Sequence, residues 1–301
     1  MMKKSGLWMK ELISQVTDRN RDRQVGINMK RFGKTGAILL LPSLVGFVLL
    51  YILPFLWGLR YSVSRSGFDD TFVGLSNYRG VIASPSFRLA LKNNLFFLAV
   101  GIPLVIVISF LLALLIYEIK ASPWVKLAIV LPISIPSASV SGFFREFMAT
   151  GIHNLMDSDL AMVSVIILFI WRSTGYNLLV YLAALGSMDK SLIESALMDG
   201  ASYRQQVQHV ILPALTPATV FVSILSIINS YRVYKDVFIL QGNYPNSRIY
   251  MLQHYMNNQF AHLQYQNLTA AAFLFTLLIF SAALVFFYVD HRYHLRTGEG
   301  H

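Results

Sequence analysis

The sequence has no cysteine, which excludes a disulfide, a thiolate metal site and a cysteine nucleophile. It is also short of charge: 13% of its 301 residues are charged, against 55% hydrophobic. A soluble domain of this length needs more charge to cover its surface, whereas helices solvated by lipid do not. Its seven histidines are scattered without metal-ligand spacing. No paired-carboxylate or nucleophile constellation sits in a soluble domain, so nothing points to an enzyme active site. A nucleotide site is missing too. Gly33-Lys34-Thr35 imitates the end of a phosphate-binding loop, but Asn28 stands where the motif needs its earlier glycine. There is no internal repeat and no low-complexity segment.

What is present is a series of long apolar runs. Six are long enough to span a bilayer, which needs about 20 residues each. They lie near 36–61, 94–117, 125–147, 160–185, 216–240 and 270–289. The third and fifth are interrupted, by Pro132 and Pro136 and by Asn229, Arg232 and Lys235. Broken helices are tolerated at membrane depth only where they face protein or a wet cavity. The expected fold is all-α and polytopic, with six transmembrane helices. The expected organisation is a basic tail over 1–35, a first span over 36–61 and an external loop over 62–93. A core over 94–290 follows, holding five further spans and a cytoplasmic loop over 188–213, and then a C-terminus over 291–301.

Orientation follows from lysine and arginine in the connections. The net charge of +10 is therefore topology signal and not a nucleic-acid footprint. The tail carries nine basic residues between Lys3 and Lys34, and Lys120, Lys126, Lys190, Arg204, Arg292 and Arg296 mark further basic connections. The stretch from Met148 to Asp159 has no lysine or arginine. Both termini are expected to be cytoplasmic. The loop over 62–93, with Arg65, Arg79, Arg88 and Lys92, dissents, and the larger bias of the tail outweighs it. The tail is expected to be retained, either with a surface helix presenting Leu7, Trp8, Leu12, Ile13 and Val16 to lipid or as an unstructured segment.

The informative connection runs from Met188 to Pro213. Asp189 or Ser191 can cap a first short helix, Gly200 can end it in a left-handed turn, and Ser202 can cap a second that Pro213 stops. A helix–turn–helix this regular suits docking a partner. The plainer reading is a connecting loop.

This segment resembles the EAA signature of importer-type ABC permeases: E-A-A, three residues, G, nine residues, then I-x-L-P. Glu194-Ser195-Ala196, Gly200 and Val210-Ile211-Leu212-Pro213 stand at that spacing, with Ser195 and Val210 as departures. The stretches from Val180 to Asp189 and from Tyr250 to Asn258 look like the carbohydrate branch, the maltose and polysaccharide permeases. The resemblance covers about Leu91 to Tyr288; the connection between spans three and four is shorter than usual for the family. It implies the type I importer permease fold in the bacterial inner membrane. The first helix of the loop would be the coupling helix, with Glu194, Ser195, Ala196, Asp199, Gly200, Leu212 and Pro213 as the ATPase-coupling residues. This chain would hold no cofactor, ATP-Mg being bound by a partner ATPase. The implied partners are two ATPase subunits, a second and different permease, an external solute-binding protein and a carbohydrate. A permease for a non-sugar solute and an ion-coupled carrier are the competing readings.

A few polar residues inside the spans stand out. Arg172 lies mid-span, where an arginine costs about 2.5–3.5 kcal/mol unless it faces the bundle interior or water. Ser173, Tyr176 and Asn177 are its neighbours, and Asn229, Tyr231, Tyr234 and Lys235 cluster in the fifth span beside Asp236. Aromatic rings and amides suit a sugar, and Arg172 on the path would favour an acidic one. The structural alternative is that Arg172 pairs with Asp236 or with backbone carbonyls, and that Lys235 marks the end of a span. Pro132, Pro136, Ser137 and Ser139 read as packing features that bend a helix.

Overall fold

The computed structural model describes residues 38–65, 71–136 and 158–297, with isolated positions between 139 and 156. The expected tail over 1–35 and most of the second half of the third span lie outside the described residues. The chain divides into two units, one ending at Arg60 and one beginning at Tyr61.

α1 (Ile38–Ser62), all but its last two residues in the first unit, begins the membrane-spanning structure. Its 25 residues extend about 37 Å at 1.5 Å per residue, enough to cross a hydrocarbon core of about 30 Å. It is apolar all round, and none of its most apolar stretch is buried within the chain. Such a helix is covered by lipid or by another subunit.

The second unit is built on α3 (Pro85–Glu118) and α5 (Ala161–Ser187), its dominant packing pair. Both are apolar on nearly every face, and α3 starts cleanly because Pro85 stands in its first turn, where no amide donor is needed. It starts well before the expected 94, and the expected external loop also holds α2 (Ser76–Ala83). Two aromatic pairs fix the register. Phe97 meets Phe169 edge-on at 5.1 Å, and Phe110 meets Tyr181 at 5.6 Å. Rising numbers pair with rising numbers, so α3 and α5 run parallel. The connection between them therefore leads from one end of the pair to the other. α4 (Pro123–Val130) and a 3-10 turn over Leu131–Ser134 begin that return along α5.

The contact of α4 with α5 is unusually close. A Cβ on Gly175 would stand 2.5 Å from the Ile129 carbonyl oxygen and 2.9 Å from the Val130 Cα. Both are backbone atoms and cannot swing aside. Small residues at such crossings let helices approach in a membrane, where no hydrophobic force drives them together. Gly175→Ala is therefore expected to push α4 off α5 and to cost about 1–3 kcal/mol, as overpacking does. A lower unfolding midpoint of the purified protein checks this; an unchanged midpoint contradicts the packing.

The remaining helices run α6 (Lys190–Met198), α7 (Tyr203–Ala214), α8 (Thr216–Ser230), α9 (Val233–Gln241), α10 (Leu252–Ala261) and α11 (Tyr265–Thr297). α7 meets the α8–α9 segment at 68°. Helix α8 runs antiparallel to α5: the Tyr181 hydroxyl donates to Thr219 near its start, and the Asn177 amide donates to Ser226 further on. Where the sequence reads one fifth span, the helix opens for a turn at Tyr231 and Arg232. By length and composition, four described helices can cross a membrane, and the bent pair makes a fifth.

Three buried clusters hold this unit. Leu178, Tyr181 and Leu185 meet Ile211, Leu215 and Val222 at the end that carries α6. Phe97, Val165 and Phe169 pack with Val233 and Val237 toward the opposite end. Phe87 and Ala90 meet Tyr255, Ala270 and Phe275 in the third cluster.

Candidate functional site

Two places combine exposure with built geometry: the loop between α5 and α8, and a polar cleft where α5 faces α8 and α9.

The loop is a rigid device made of local signals. Asp189 caps α6, its carboxylate accepting from the Ser191 amide at 3.0 Å. That amide, together with the Ser191 hydroxyl, holds the Asp189 carboxyl below the usual carboxylate range. At the other end the Gly200 amide donates to Leu197 and the Ala201 amide to Ala196, at 3.0 and 2.9 Å, while Gly200 adopts φ +76°. This is the Schellman pattern, with glycine at its left-handed position. A reciprocal capping box between Ser202 and Gln205 then starts α7, and the Gln206 side chain donates to the Ala201 carbonyl. Buried Ile211, with Leu215 at the bend just past the helix end, anchors α7 against α5. Pro213 does not itself stop α7, which runs one residue further to Ala214 before the bend.

No residue of α6 is buried. Leu192 is 50% exposed, Leu197 57% and Met198 88%, beside exposed Glu194, Ser195 and Asp199. Ile193 turns inward, against the cluster around Leu185. Ala196 is half-buried, and Leu212 is exposed one helix later.

The cleft, of about 250 Å³, is lined from α5 by Phe169, Arg172, Ser173 and Tyr176. Leu225, Ile228 and Asn229 of α8, Arg232 at the helix break, and Val233 and Asp236 of α9 form the other wall. Arg172 Nη1 donates to Asp236 Oδ1 at 2.6 Å; the side chains are 19% and 5% exposed. The pairing weighed from sequence is therefore present, and Arg172 faces the cleft at the same time. Removing either charge alone takes this ion partner from the other, and such pairs occur together inside membrane proteins for that reason.

Of the candidate pathway residues, Arg172, Ser173, Tyr176 and Asn229 meet in this cleft. The other four do not. Asn177 is buried against Ser226, Tyr231 stacks on Phe275 at 5.3 Å, Tyr234 meets His254 edge-on at 4.7 Å, and Lys235 is exposed away from the lining. The reason is helical geometry. Asn229, Arg232, Val233 and Asp236 recur every three or four residues and share a face; Tyr231, Tyr234 and Lys235 lie on others. Arg232 and Asp236 are the charged cleft residues missing from the pathway set read from the sequence. The spacing from Asn229 was the available signal.

A second polar network was not legible. Asn93 donates to the carbonyls of Ser247 and Tyr250, and Asn94 accepts from the Leu252 amide at 2.8 Å. His254, whose Nδ1 accepts from the Met251 amide, is fully buried, and burial pushes its pKa down to about 4. It is neutral at ordinary pH. These groups pin the segment before α10 to the head of α3.

Comparison with known proteins follows the same lines. The family described as "Binding-protein-dependent transport system inner membrane component" matches residues 80–295. A probable ABC transporter permease protein of Pyrococcus horikoshii is 31% identical over 247 residues, covering 71% of this chain and 85% of that one. The arabinooligosaccharides transport system permease protein of Halalkalibacterium halodurans is 29% identical over 222 residues, 67% of this chain and 70% of that one. The polygalacturonan/rhamnogalacturonan transport system permease protein of Bacillus subtilis is 28% identical over 227 residues, with the same two shares. A solved bacterial ABC transporter involved in importing the acidic polysaccharide alginate aligns at TM-score 0.75 and 20% identity, covering 89% of this chain and 99% of that one. The fold is that of an ABC importer permease. The chain belongs to the inner membrane components of binding-protein-dependent transport systems.

Proposed function

We propose that this chain forms half of the translocation pathway of an ATP-driven carbohydrate importer. The observation that carries the reading is α6: a short helix fixed by the Asp189 side chain at its start and by the Gly200 turn at its end, with Leu192, Leu197 and Met198 left to solvent. A rigid apolar knob on a polar loop is an interface awaiting a partner. In this family reading the partner is a separate ATPase subunit, which binds ATP-Mg, because this chain carries no nucleotide-binding loop. Closure of two ATPases would push on α6, and α7, anchored through Ile211 and Leu215, would carry the motion to α5 and α8. Six spans with both termini on the ATPase side complete the topology. A second, different permease covers the open side of the cleft, and an external solute-binding protein delivers substrate.

The carbohydrate assignment draws on the sugar transport named for several relatives and on the lining of the cleft. The exposed ring of Tyr176 offers a face for C–H surfaces, and Asn229 and Ser173 offer groups for hydroxyls.

Pull-down of the tagged chain from its native membrane in mild detergent tests the proposal. An ATPase, a second permease and a binding protein are expected to accompany it. The variant carrying Leu192→Asp and Met198→Asp is expected to lose the ATPase, at least tenfold, and to keep the second permease. Recovery of a homomer without an ATPase overturns the proposal.

A further inference from the structure

The cleft carries more charge than a neutral sugar requires. Among the described residues its lining holds two guanidinium groups, Arg172 and Arg232, against one carboxylate, that of Asp236. Arg172 is matched by Asp236 at 2.6 Å, and no ion pair of Arg232 occurs among the described residues. Among the described lining residues one net positive charge is thus left, that of Arg232 at the break between α8 and α9, facing the middle of α5. A bare cation at that depth is costly unless it faces water or meets an anion. Hydroxyls, amides and rings suffice for neutral carbohydrate, so the second arginine needs another reason.

The backbone around Arg232 is arranged to present it. The helix opens at Tyr231 and Arg232, between α8 and α9, and the Gln253 side chain donates to the Tyr231 carbonyl at 3.1 Å. The break is therefore tied from outside by a buried amide. Across the cleft Tyr176 stands one helical turn beyond Arg172 and is 41% exposed. Asp236 reaches Arg172 from the facing wall and is 5% exposed against 19%, so the guanidinium is the more open member of the pair.

We infer that this cleft takes a carboxylate-bearing sugar unit, with Arg232 and Arg172 on the carboxylate, the Tyr176 ring beside the sugar face, and Asp236 as a positioning residue that holds Arg172 at the wall. The inference deepens the carbohydrate reading above and rests on it. It makes Arg232 the residue that sets selectivity for acidic over neutral sugar, because its charge is the one the substrate neutralises.

The test is ATP-dependent uptake by the complete importer in proteoliposomes. The probes are a panel of uronate disaccharides and their carboxyl-reduced neutral counterparts. Wild type is expected to favour the uronates. Arg232→Gln is expected to lower the uronate-to-neutral uptake ratio about tenfold, the scale of one charge-assisted hydrogen bond, and Arg232→Lys to retain most of it. Asp236→Asn doubles the net charge and is expected to raise the ratio while slowing the maximal rate. A purely structural Asp236 would instead lower uptake of both classes alike. An unchanged ratio in Arg232→Gln, or uptake of neutral sugars only, overturns the inference and leaves the importer reading standing. Uptake of neither class by wild type removes the carbohydrate reading, and this inference with it.

Discussion

Replacing Gly200 with valine is expected to abolish ATP-driven transport while leaving the protein in the membrane. Gly200 sits at φ +76°, in the left-handed region, and its amide and that of Ala201 close the end of α6. A β-branched residue there is a steric outlier, and left-handed backbone costs an ordinary residue roughly 1–2 kcal/mol. That is enough to redirect a nine-residue helix with no buried side chain of its own. Space is not the issue, since a Cβ on Gly200 would meet nothing within 4 Å. The effect should therefore follow backbone preference alone. Gly200→Asn, which tolerates the left-handed region, is expected to keep most of the transport; Gly200→Ala should fall between. Uptake in proteoliposomes together with ATPase turnover measures this. Valine at wild-type uptake would show that the turn is not what positions α6.

The second large effect concerns Arg172 and Asp236. Arg172→Leu leaves a carboxylate that is 5% exposed without its 2.6 Å partner, and such a loss costs about 3–5 kcal/mol. Asp236→Leu is expected to cost less, because Arg172 is 19% exposed and faces the cleft. The double variant should recover much of the stability, since replacing both charges by apolar groups is often neutral. Unfolding midpoints in detergent, read as a double-mutant cycle, give the coupling. A double variant no more stable than Arg172→Leu would mean that the pair is incidental. For the same reason Arg172→Gln alone is a confounded probe of substrate: it damages the fold as well as the wall. Arg232, which is exposed, is the cleaner one.

The contrast between the loop and the cleft shows what the sequence made legible. Asp189, Gly200, Ser202 and Gln205 act within a few residues of themselves, so their roles in the two short helices were readable from spacing. The long apolar runs of α3 and α5 were equally plain, and only the start of α3 was misplaced, because the polar stretch up to Asn93 looked like loop; the helix instead runs through Asn93 and Asn94. They are buried and donate to, or accept from, a segment more than 150 residues away. No local rule announces such a partner. In the fifth span, composition found the polar cluster but not its face. Tyr231 and Tyr234 turn to α11 and α10, where Phe275 and His254 wait, and only the tertiary packing decides that.

Docking of α6 on an ATPase can be tested directly because the sequence has no cysteine. A single cysteine placed at Met198, 88% exposed, is the only thiol in the chain. Cross-linking from that position in native membranes is expected to capture an ATPase subunit, and to do so differently with ATP bound and without it. A cysteine that cross-links only to lipid, or to a second copy of this chain, would contradict the account.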